Sequence, residues 1–296
     1  MKIKTNLKGT GVAIVTPFHN YGTIDFSSLG KLLEYVIEGN IDFIVALGTT
    51  SEAATLSCDE KEAIMSFVKE TIGGRVPLVM GMGGNSTRTV IGTIKKTDFN
   101  GIEAILSVAP YYNKPNQKGL YNHFKNIAAA SPVPIILYNV PGRTASNLSA
   151  ETTLQLARNF ENIVAIKEAS GNMQQVMDIL RQKPEDFLVF SGDDALTFPL
   201  MSMGAAGVIS VVANVLPAQF SEMVRLLLQE KFKKAQKIHY KLLPVIQQLF
   251  ADGNPAGIKA ALEIKGILKN NLRLPMVKAN KSVYFALQRL LNDIRQ

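Results

Sequence analysis

The sequence contains little that would place the protein outside the cell or in a membrane. Among its 296 residues Cys58 is the only cysteine, so no disulfide forms within the chain. No apolar run reaches the length of a membrane-spanning helix, and no apolar signal-peptide segment follows the first six residues. We therefore expect a cytoplasmic protein that has no membrane partner.

The patterns of common metal and dinucleotide sites are also missing. The three histidines, His19, His123 and His239, are scattered, and no His or acidic cluster has the spacing of metal ligands. Asp193 and Asp194 are interpreted as caps of the helix that follows them. No Gly-x-Gly-x-x-Gly motif follows the first apolar segment, which disfavours a dinucleotide-binding fold.

Positive charge is concentrated in the C-terminal part of the chain. The net charge is +8, and residues 225–296 carry fourteen Lys and Arg against four Asp and Glu. Within 231–238 the lysines alternate with apolar residues at helical spacing, which is typical of an amphipathic helix with a solvated face. Nucleic-acid binding is the alternative, but no zinc-finger or RNA-binding pattern supports it, so we expect no nucleic-acid partner.

Eight short apolar segments run through the first two-thirds of the chain. They show little polar alternation, as strands buried on both faces require. Amphipathic segments lie between them, such as 26–38 after Asp25, and 61–72 after a capping box formed by Ser57 and Glu60. The predicted strands are 12–16, 43–47, 77–80, 104–108, 134–138, 163–166, 187–190 and 207–211.

Eight successive strand–helix units predict an α/β protein with a closed (β/α)8 barrel, the TIM-barrel fold. After Phe232 no strand-like segment remains, only helical patterns interrupted at prolines such as Pro244. We therefore expect a catalytic barrel over residues 1–231 and a C-terminal helical domain over 232–296.

Lys167 ends the sixth apolar segment, at the side of a barrel where catalytic residues lie. Strand alternation predicts that it shares one face with Ile163 and Ala165 and points into the barrel mouth. Apolar surroundings disfavour an ammonium ion, and a neutral amine attacks a ketone to give an iminium, which stabilises a carbanion. The pattern equally allows a lysine that extends to solvent or pairs with Glu168 or Asp193.

Other strand ends supply hydroxyl groups and an arginine. The turn Gly48-Thr49-Thr50-Ser51-Glu52 offers donors suited to a small carboxylate, although ordinary turns share this composition. Tyr111, Tyr112 and Tyr138 lie near strand ends, where a phenol close to a threonine transfers protons or simply packs at the rim. Arg143 lies in a loop with proline and glycine, and it either binds a carboxylate or remains solvated.

Several short motifs follow one another in a fixed order. They are residues 48–52, 110–115, 138–144, 166–169, 191–194, 207–210 and 254–259. In kind and order they resemble the motifs of the dihydrodipicolinate synthases, a family within the pyruvate-dependent, Schiff-base-forming lyases. The resemblance covers nearly the whole chain and favours the catalytic interpretation of Lys167.

The resemblance implies a reaction between pyruvate and L-aspartate 4-semialdehyde. Lys167 would form a Schiff base with pyruvate, and the enamine derived from it would add to the aldehyde. Cyclisation would release 4-hydroxy-tetrahydrodipicolinate, on the way to diaminopimelate and lysine. The family implies no metal and no organic cofactor, and its usual assembly is a homotetramer, a dimer of dimers.

The resemblance also implies roles for the surrounding residues. Thr49 and Thr50 match the site of the pyruvate carboxylate. Thr50, Tyr138 and Tyr112 match a proton relay in which Tyr112 comes from a neighbouring subunit. Arg143 matches the anchor for the carboxylate of the second substrate. Two further residues would act through backbone groups, Gly192 and Ile209.

Two positions depart from the family pattern. Ser51 stands where glycine is usual, which tightens the turn but leaves both threonines intact. Lysine-inhibited members carry a glutamate four residues after the asparagine that matches Asn85, and this chain has Thr89 there. We expect inhibition by lysine to be weak or absent, because a bound lysine would lack a partner for its ammonium group.

Two alternatives to the synthase reaction stay open at this point. One is a related lyase that acts on N-acetylneuraminate or a 2-keto-3-deoxy sugar acid, which shares the Schiff-base lysine. Arg143 disfavours it, because sugar-acid lyases generally lack an arginine there. The other is a barrel that has lost catalysis and only binds a ligand.

Overall fold

The computed structural model describes residues 7–295 and shows eight parallel strands closed into a barrel. Each strand pairs with the next in sequence, and the eighth pairs with the first. This confirms the predicted (β/α)8 fold. The strands are β1 Gly9–Ala13, β2 Phe43–Ala46, β3 Leu78–Gly81, β4 Ala104–Val108, β5 Ile135–Asn139, β6 Ile163–Glu168, β7 Leu188–Ser191 and β8 Gly207–Ser210.

Helices connect the strands and continue beyond the last one. The predicted capping box is confirmed, because the Ser57 hydroxyl accepts from the Glu60 N–H and the Glu60 carboxylate accepts from the Ser57 N–H. The helices are α1 Phe26–Glu38, α2 Cys58–Ile72, α3 Thr87–Lys96, α4 Gln117–Ala130, α5 Pro141–Thr144, α6 Ala150–Asn159, α7 Met173–Gln182, α8 Thr197–Ser202, α9 Pro217–Leu228, α10 Phe232–Phe250, α11 Ala256–Ile264 and α12 Lys281–Arg295.

The first strand begins three residues earlier than the sequence predicts, at Gly9 instead of Val12. Two of its first three residues are glycines, whose low strand propensity makes this part of the strand hard to predict from the sequence. The barrel requires them, since a Cβ at Gly11 would collide with the Phe43 ring. A Cβ at Gly207, on the neighbouring β8, would likewise collide with the backbone of Gly9.

Two apolar clusters surround the barrel wall, one inside it and one between the strands and the helices. The inner cluster includes Phe43 and Phe190, whose ring centroids lie 5.6 Å apart in an edge-to-face arrangement. These rings fill the interior, so the barrel is a packed core that opens only at its ends.

The C-terminal region forms helices that pack against α8 and α9. Helix α10 runs unbroken through Pro244, so the predicted interruption there was wrong; the proline removes one N–H donor but does not end the helix. The lysines of α10 are exposed and Leu242 and Ile246 are buried, which confirms the solvated amphipathic face. The proposed division at residue 231 stays a prediction. Among residues 7–295 no helix has the length and apolarity needed to cross a membrane.

Candidate active site

Lys167 lies at the carboxyl end of β6 and is only 4% exposed. Its Nζ is 4.4 Å from the centroid of the Tyr138 ring. Tyr138 is its neighbour in the β5–β6 ladder, and Phe190 is its neighbour on β7. The amine is therefore buried beside an aromatic ring, in the sheltered position that the sequence predicts.

The predicted strand face of Lys167 was partly wrong. A bulge between β5 and β6 pairs Ile135 with Ile163 but Ile136 with Ala165. Ile163 belongs to the outer apolar cluster, whereas Ala165 belongs to the inner one. The extra residue reverses the alternation, so Lys167 shares its face with Ala165 and not with Ile163.

The structure disfavours an ion pair as the role of Lys167. Glu168 points to the opposite side of the strand, where its carboxylate accepts hydrogen bonds from Asn139, Gln175 and the Ser170 N–H. Within residues 7–295, Lys167 makes no ion pair. Its amine thus has no carboxylate partner among the described residues, and such a partner would favour the charged ammonium over the nucleophilic amine.

Gly192 leaves space beside the lysine. A Cβ at this position would lie 3.1 Å from Lys167 Cε and 2.7 Å from the Ala169 Cβ. The Gly192 N–H donates to the Glu168 carbonyl at 2.7 Å. The Gly192 N–H is thus engaged within the chain, and the expected backbone contact between Gly192 and a substrate stays a prediction.

The turn after β2 places two threonines at the same end of the barrel. Residues Thr49–Ser51 form one 3-10 turn, closed by a hydrogen bond from the Ser51 hydroxyl to the Gly48 carbonyl. Ser51 is buried and its side chain adds this bond to the turn, whereas the expected tightening of the turn stays a prediction. Thr50 is buried as well, and its hydroxyl accepts from the Asn254 side chain at 2.9 Å.

A buried ion pair anchors this turn to the C-terminal region. Glu52 accepts from the Lys259 ammonium at 2.5 Å and from the Arg273 N–H at 3.0 Å. Lys259 is completely buried and also donates to the Asn271 carbonyl. Burial lowers the pKa of Lys259 to about 8, and the Glu52 carboxylate opposes this shift only in part.

Sequence reasoning assigned no role to Asn254 or Lys259, although both lie in the last of the family-like motifs. A signal was present: Lys259 is the one lysine of helix α11, Ala256–Ile264, and the residues next to it from Ala256 to Leu262 are small or apolar. A charge in such a helix indicates a buried partner. The partner itself, more than two hundred residues away, was not predictable.

Tyr112 and Arg143 lie at the rim. Tyr112 is 88% exposed and has a left-handed backbone with φ of 72°, which is uncommon for a bulky residue. Arg143 is exposed on the short helix α5, where the sequence predicts a loop, and it makes no ion pair within residues 7–295. Both side chains are available to a molecule outside this chain.

The predicted capping role of the two aspartates was wrong. Asp193 accepts from the Ala195 N–H, and no side chain caps α8. Asp194 is buried and accepts from the Ser210 hydroxyl and from the N–H groups of Val211 and Val212. It thereby secures the end of β8, the strand that also contains the buried Ile209.

The arrangement suits carbanion chemistry on a keto acid. A sheltered amine can form an iminium, a phenol beside it can carry a proton, and a turn with hydroxyl and N–H donors can hold a carboxylate. In the described part of the chain, no group of three His, Cys, Asp or Glu side chains has the geometry of a metal site.

Comparison with known proteins gives consistent results. Residues 6–294 match the model of the dihydrodipicolinate synthetase family. The 4-hydroxy-tetrahydrodipicolinate synthase of Parabacteroides distasonis is 50% identical over 289 residues, which is 98% of this chain and 97% of that protein.

Solved structures of this family have the same fold. The dihydrodipicolinate synthase of Thermotoga maritima superposes with a TM-score of 0.95 at 39% identity, covering 97% of this chain and 98% of that one. The enzyme of Acinetobacter baumannii in complex with pyruvate gives 0.94 at 39% identity, covering 97% and 99%.

Proposed function

We propose that this chain, which belongs to the dihydrodipicolinate synthetase family, condenses pyruvate with L-aspartate 4-semialdehyde through a Schiff base on Lys167. The product is 4-hydroxy-tetrahydrodipicolinate, which leads to diaminopimelate and lysine. The observation that carries the proposal is the buried Lys167 amine beside the Tyr138 ring, without a carboxylate partner among the described residues. The enzyme is a lyase, and we propose that its reaction uses no metal and no organic cofactor.

The reaction begins when the Lys167 amine adds to the ketone carbon of pyruvate and water leaves, which gives an iminium. Loss of a methyl proton converts the iminium to an enamine. The enamine carbon attacks the aldehyde of the second substrate, whose oxygen takes up a proton. The amine of that substrate then adds to the iminium carbon and displaces Lys167, which closes the ring.

The surrounding residues bind the substrates and move protons. Thr49 and Thr50 hold the pyruvate carboxylate with hydroxyl and N–H groups of their turn. Tyr138, Thr50 and Tyr112 transfer protons to and from the intermediates. Arg143 binds the carboxylate of the second substrate. Two residues complete the site through backbone groups, Gly192 and Ile209.

Assembly and location follow from the same proposal. We propose a homotetramer, a dimer of dimers, in which Tyr112 enters the site of a neighbouring subunit. The exposed Tyr112 ring and its left-handed backbone support this role. We place the enzyme in the cytoplasm, in agreement with its single, unpaired cysteine.

Comparing turnover of two substrate sets tests this reaction against that of a sugar-acid lyase. The purified protein should form the cyclic product from pyruvate and L-aspartate 4-semialdehyde, and it should cleave N-acetylneuraminate poorly. Arg143→Gln should raise KM for the semialdehyde, since it removes the bidentate cation. Preferred cleavage of N-acetylneuraminate would overturn the proposal.

Inhibition by lysine is proposed to be weak. Thr89 lies exposed in the first turn of α3, where its hydroxyl donates to the Ser86 hydroxyl, so no carboxylate stands at this position. Initial rates should change little when millimolar lysine is added. Strong inhibition of the purified enzyme at that concentration would contradict this expectation.

A further inference from the structure

Asn254 connects the C-terminal region to the catalytic centre. It is buried just before α11, and its amide nitrogen lies 2.9 Å from the hydroxyl oxygen of Thr50, 204 positions earlier in the sequence. Among the described residues, this amide is the only hydrogen-bond partner of the Thr50 side chain. The environment of the Thr50 hydroxyl is therefore controlled by a residue outside the barrel strands.

The direction of this hydrogen bond matters for proton transfer. A hydroxyl has one hydrogen and two acceptor lone pairs, whereas an amide N–H only donates. Because Thr50 accepts from Asn254, its own hydrogen is free to be donated elsewhere. The amide oxygen of Asn254 is buried without a partner in the described part of the chain. With the amide reversed, that oxygen would capture the hydrogen of Thr50.

Neighbouring contacts hold Asn254 and Thr50 together. Glu52, two residues after Thr50, pairs with Lys259, five residues after Asn254. The Lys259 ammonium lies 4.2 Å from the centroid of the Phe18 ring and is completely buried. The Glu52–Lys259 pair is thus a second connection between the same two segments, and it holds the Asn254 amide at hydrogen-bonding distance from the Thr50 hydroxyl.

We propose that Asn254 is a positioning residue that keeps the Thr50 hydroxyl a proton donor toward the reacting atoms. The proposal rests on the reaction proposed above and extends it to a residue of the C-terminal region. Asn254 touches no reacting atom, and its effect passes entirely through the Thr50 hydroxyl. Removing that hydroxyl should therefore remove the influence of Asn254.

The test is a double-mutant cycle with Asn254→Asp and Thr50→Val. An aspartate has nearly the same shape but only accepts when ionised, so it draws the hydrogen of Thr50 to itself. We expect kcat of Asn254→Asp to fall at least about tenfold, within the range of a lost proton-transfer contribution. KM for pyruvate should change less than about threefold, because the turn that binds the carboxylate is retained. The double variant should be no slower than Thr50→Val alone.

Asn270→Asp is the matched control. Asn270 is also buried in the C-terminal region with an amide oxygen that lacks a partner among the described residues, but it makes no hydrogen bond to the Thr50 side chain. If a buried carboxylate simply destabilised the region, both variants would lose kcat and thermal stability together. We expect only Asn254→Asp to lose kcat.

The outcomes separate this proposal from the reaction itself. If wild type forms a borohydride-stable pyruvate adduct but Asn254→Asp keeps kcat within twofold, only the role of Asn254 is refuted. The role of Asn254 would also be refuted if the double variant lost kcat by the product of the two single-variant losses. Should Asn254→Asp fail to fold, Asn254→Ala takes its place in the cycle, with a smaller expected loss and the same requirement of non-additivity. Absence of the adduct in wild type would refute the proposed reaction.

Discussion

Asp194 shows how a single buried carboxyl group joins two strand ends at the mouth of the barrel. Burial raises the pKa of Asp194 to about 6, although three hydrogen bonds to the end of β8 oppose this shift. Because the folded-state pKa lies above the ordinary value of 3.8, the folded protein binds this proton more tightly than the unfolded chain. The stabilisation is complete below the ordinary pKa and is lost as the pH rises through about 6.

Asp194→Asn isolates this effect, since an amide of the same shape does not titrate. Relative to the variant, wild type should lose up to about 3 kcal/mol of unfolding free energy between pH 4 and pH 7, which corresponds to about two pKa units. Urea unfolding across this range measures the difference, with Asp193→Asn as the neighbouring control. A difference between wild type and Asp194→Asn that stays flat or grows with pH would contradict the account.

At the residue scale, the sequence predicted which kinds of side chain lie at the site, but it did not always predict the direction in which a side chain points or its partners. Lys167 was found because an amine follows a run of apolar residues. The face of β6 on which Lys167 lies was predicted wrongly in part, because the extra residue of the bulge cannot be recognised from the sequence of apolar side chains in this strand. The partners of Asp194 were missed because they lie on another strand, beyond any local pattern.

At the scale of elements, the turn after β2 depends on α11 as much as on its own strand. Glu52 has a left-handed backbone directly after Thr49–Ser51, and its carboxylate is bound from the C-terminal side by Lys259 and Arg273. Arg273 also binds the Glu60 carboxylate, which holds the pKa of Glu60 near 2. Three segments of the chain are thus joined around the turn that follows β2.

Lys259→Met should destabilise the protein by about 3–5 kcal/mol, because it leaves the Glu52 carboxylate buried without its cation. Chemical denaturation measures the loss. Arg75→Met is the control, since the Arg75–Glu34 pair is exposed and should contribute little. Adding Glu52→Gln to Lys259→Met should restore part of the stability, and no recovery would argue against an unpaired charge as the cause.

Elements with local signals were predicted well. Capping residues and apolar periodicity gave α1 its correct bounds, and apolar runs located most strands within one or two residues. The glycine-rich start of β1 was missed because glycine is required there by the lack of space inside the barrel, whereas the prediction relied on strand propensity. The continuity of α10 through Pro244 was missed because packing outweighs the cost of one proline.

At the scale of the whole molecule, the proposed assembly builds each active site from residues of two neighbouring chains. Tyr112 points outward, and its N–H donates to the Thr144 carbonyl at 3.3 Å, which ties its segment to α5. In the proposed assembly this ring completes the proton relay of a neighbouring subunit. Activity should then depend on association between chains.

Mixing two inactive variants tests this dependence. Tyr112→Phe and Lys167→Arg, co-expressed with different affinity tags, should form hybrids in which one subunit supplies Lys167 and its neighbour supplies Tyr112. Hybrids purified through both tags should therefore regain activity that neither variant shows alone. If Tyr112 served its own subunit, each site of a hybrid would lack one group, and the hybrids would remain inactive.

Reduction with borohydride in the presence of pyruvate, followed by digestion and mass spectrometry, tests the identity of the nucleophile. Lys259 is an informative competitor, because it is also buried and burial lowers its pKa to about 8. We predict a single pyruvate adduct on the peptide that contains Lys167, and none in Lys167→Arg. An adduct on Lys259 or another lysine, or no adduct at all, would contradict the central claim.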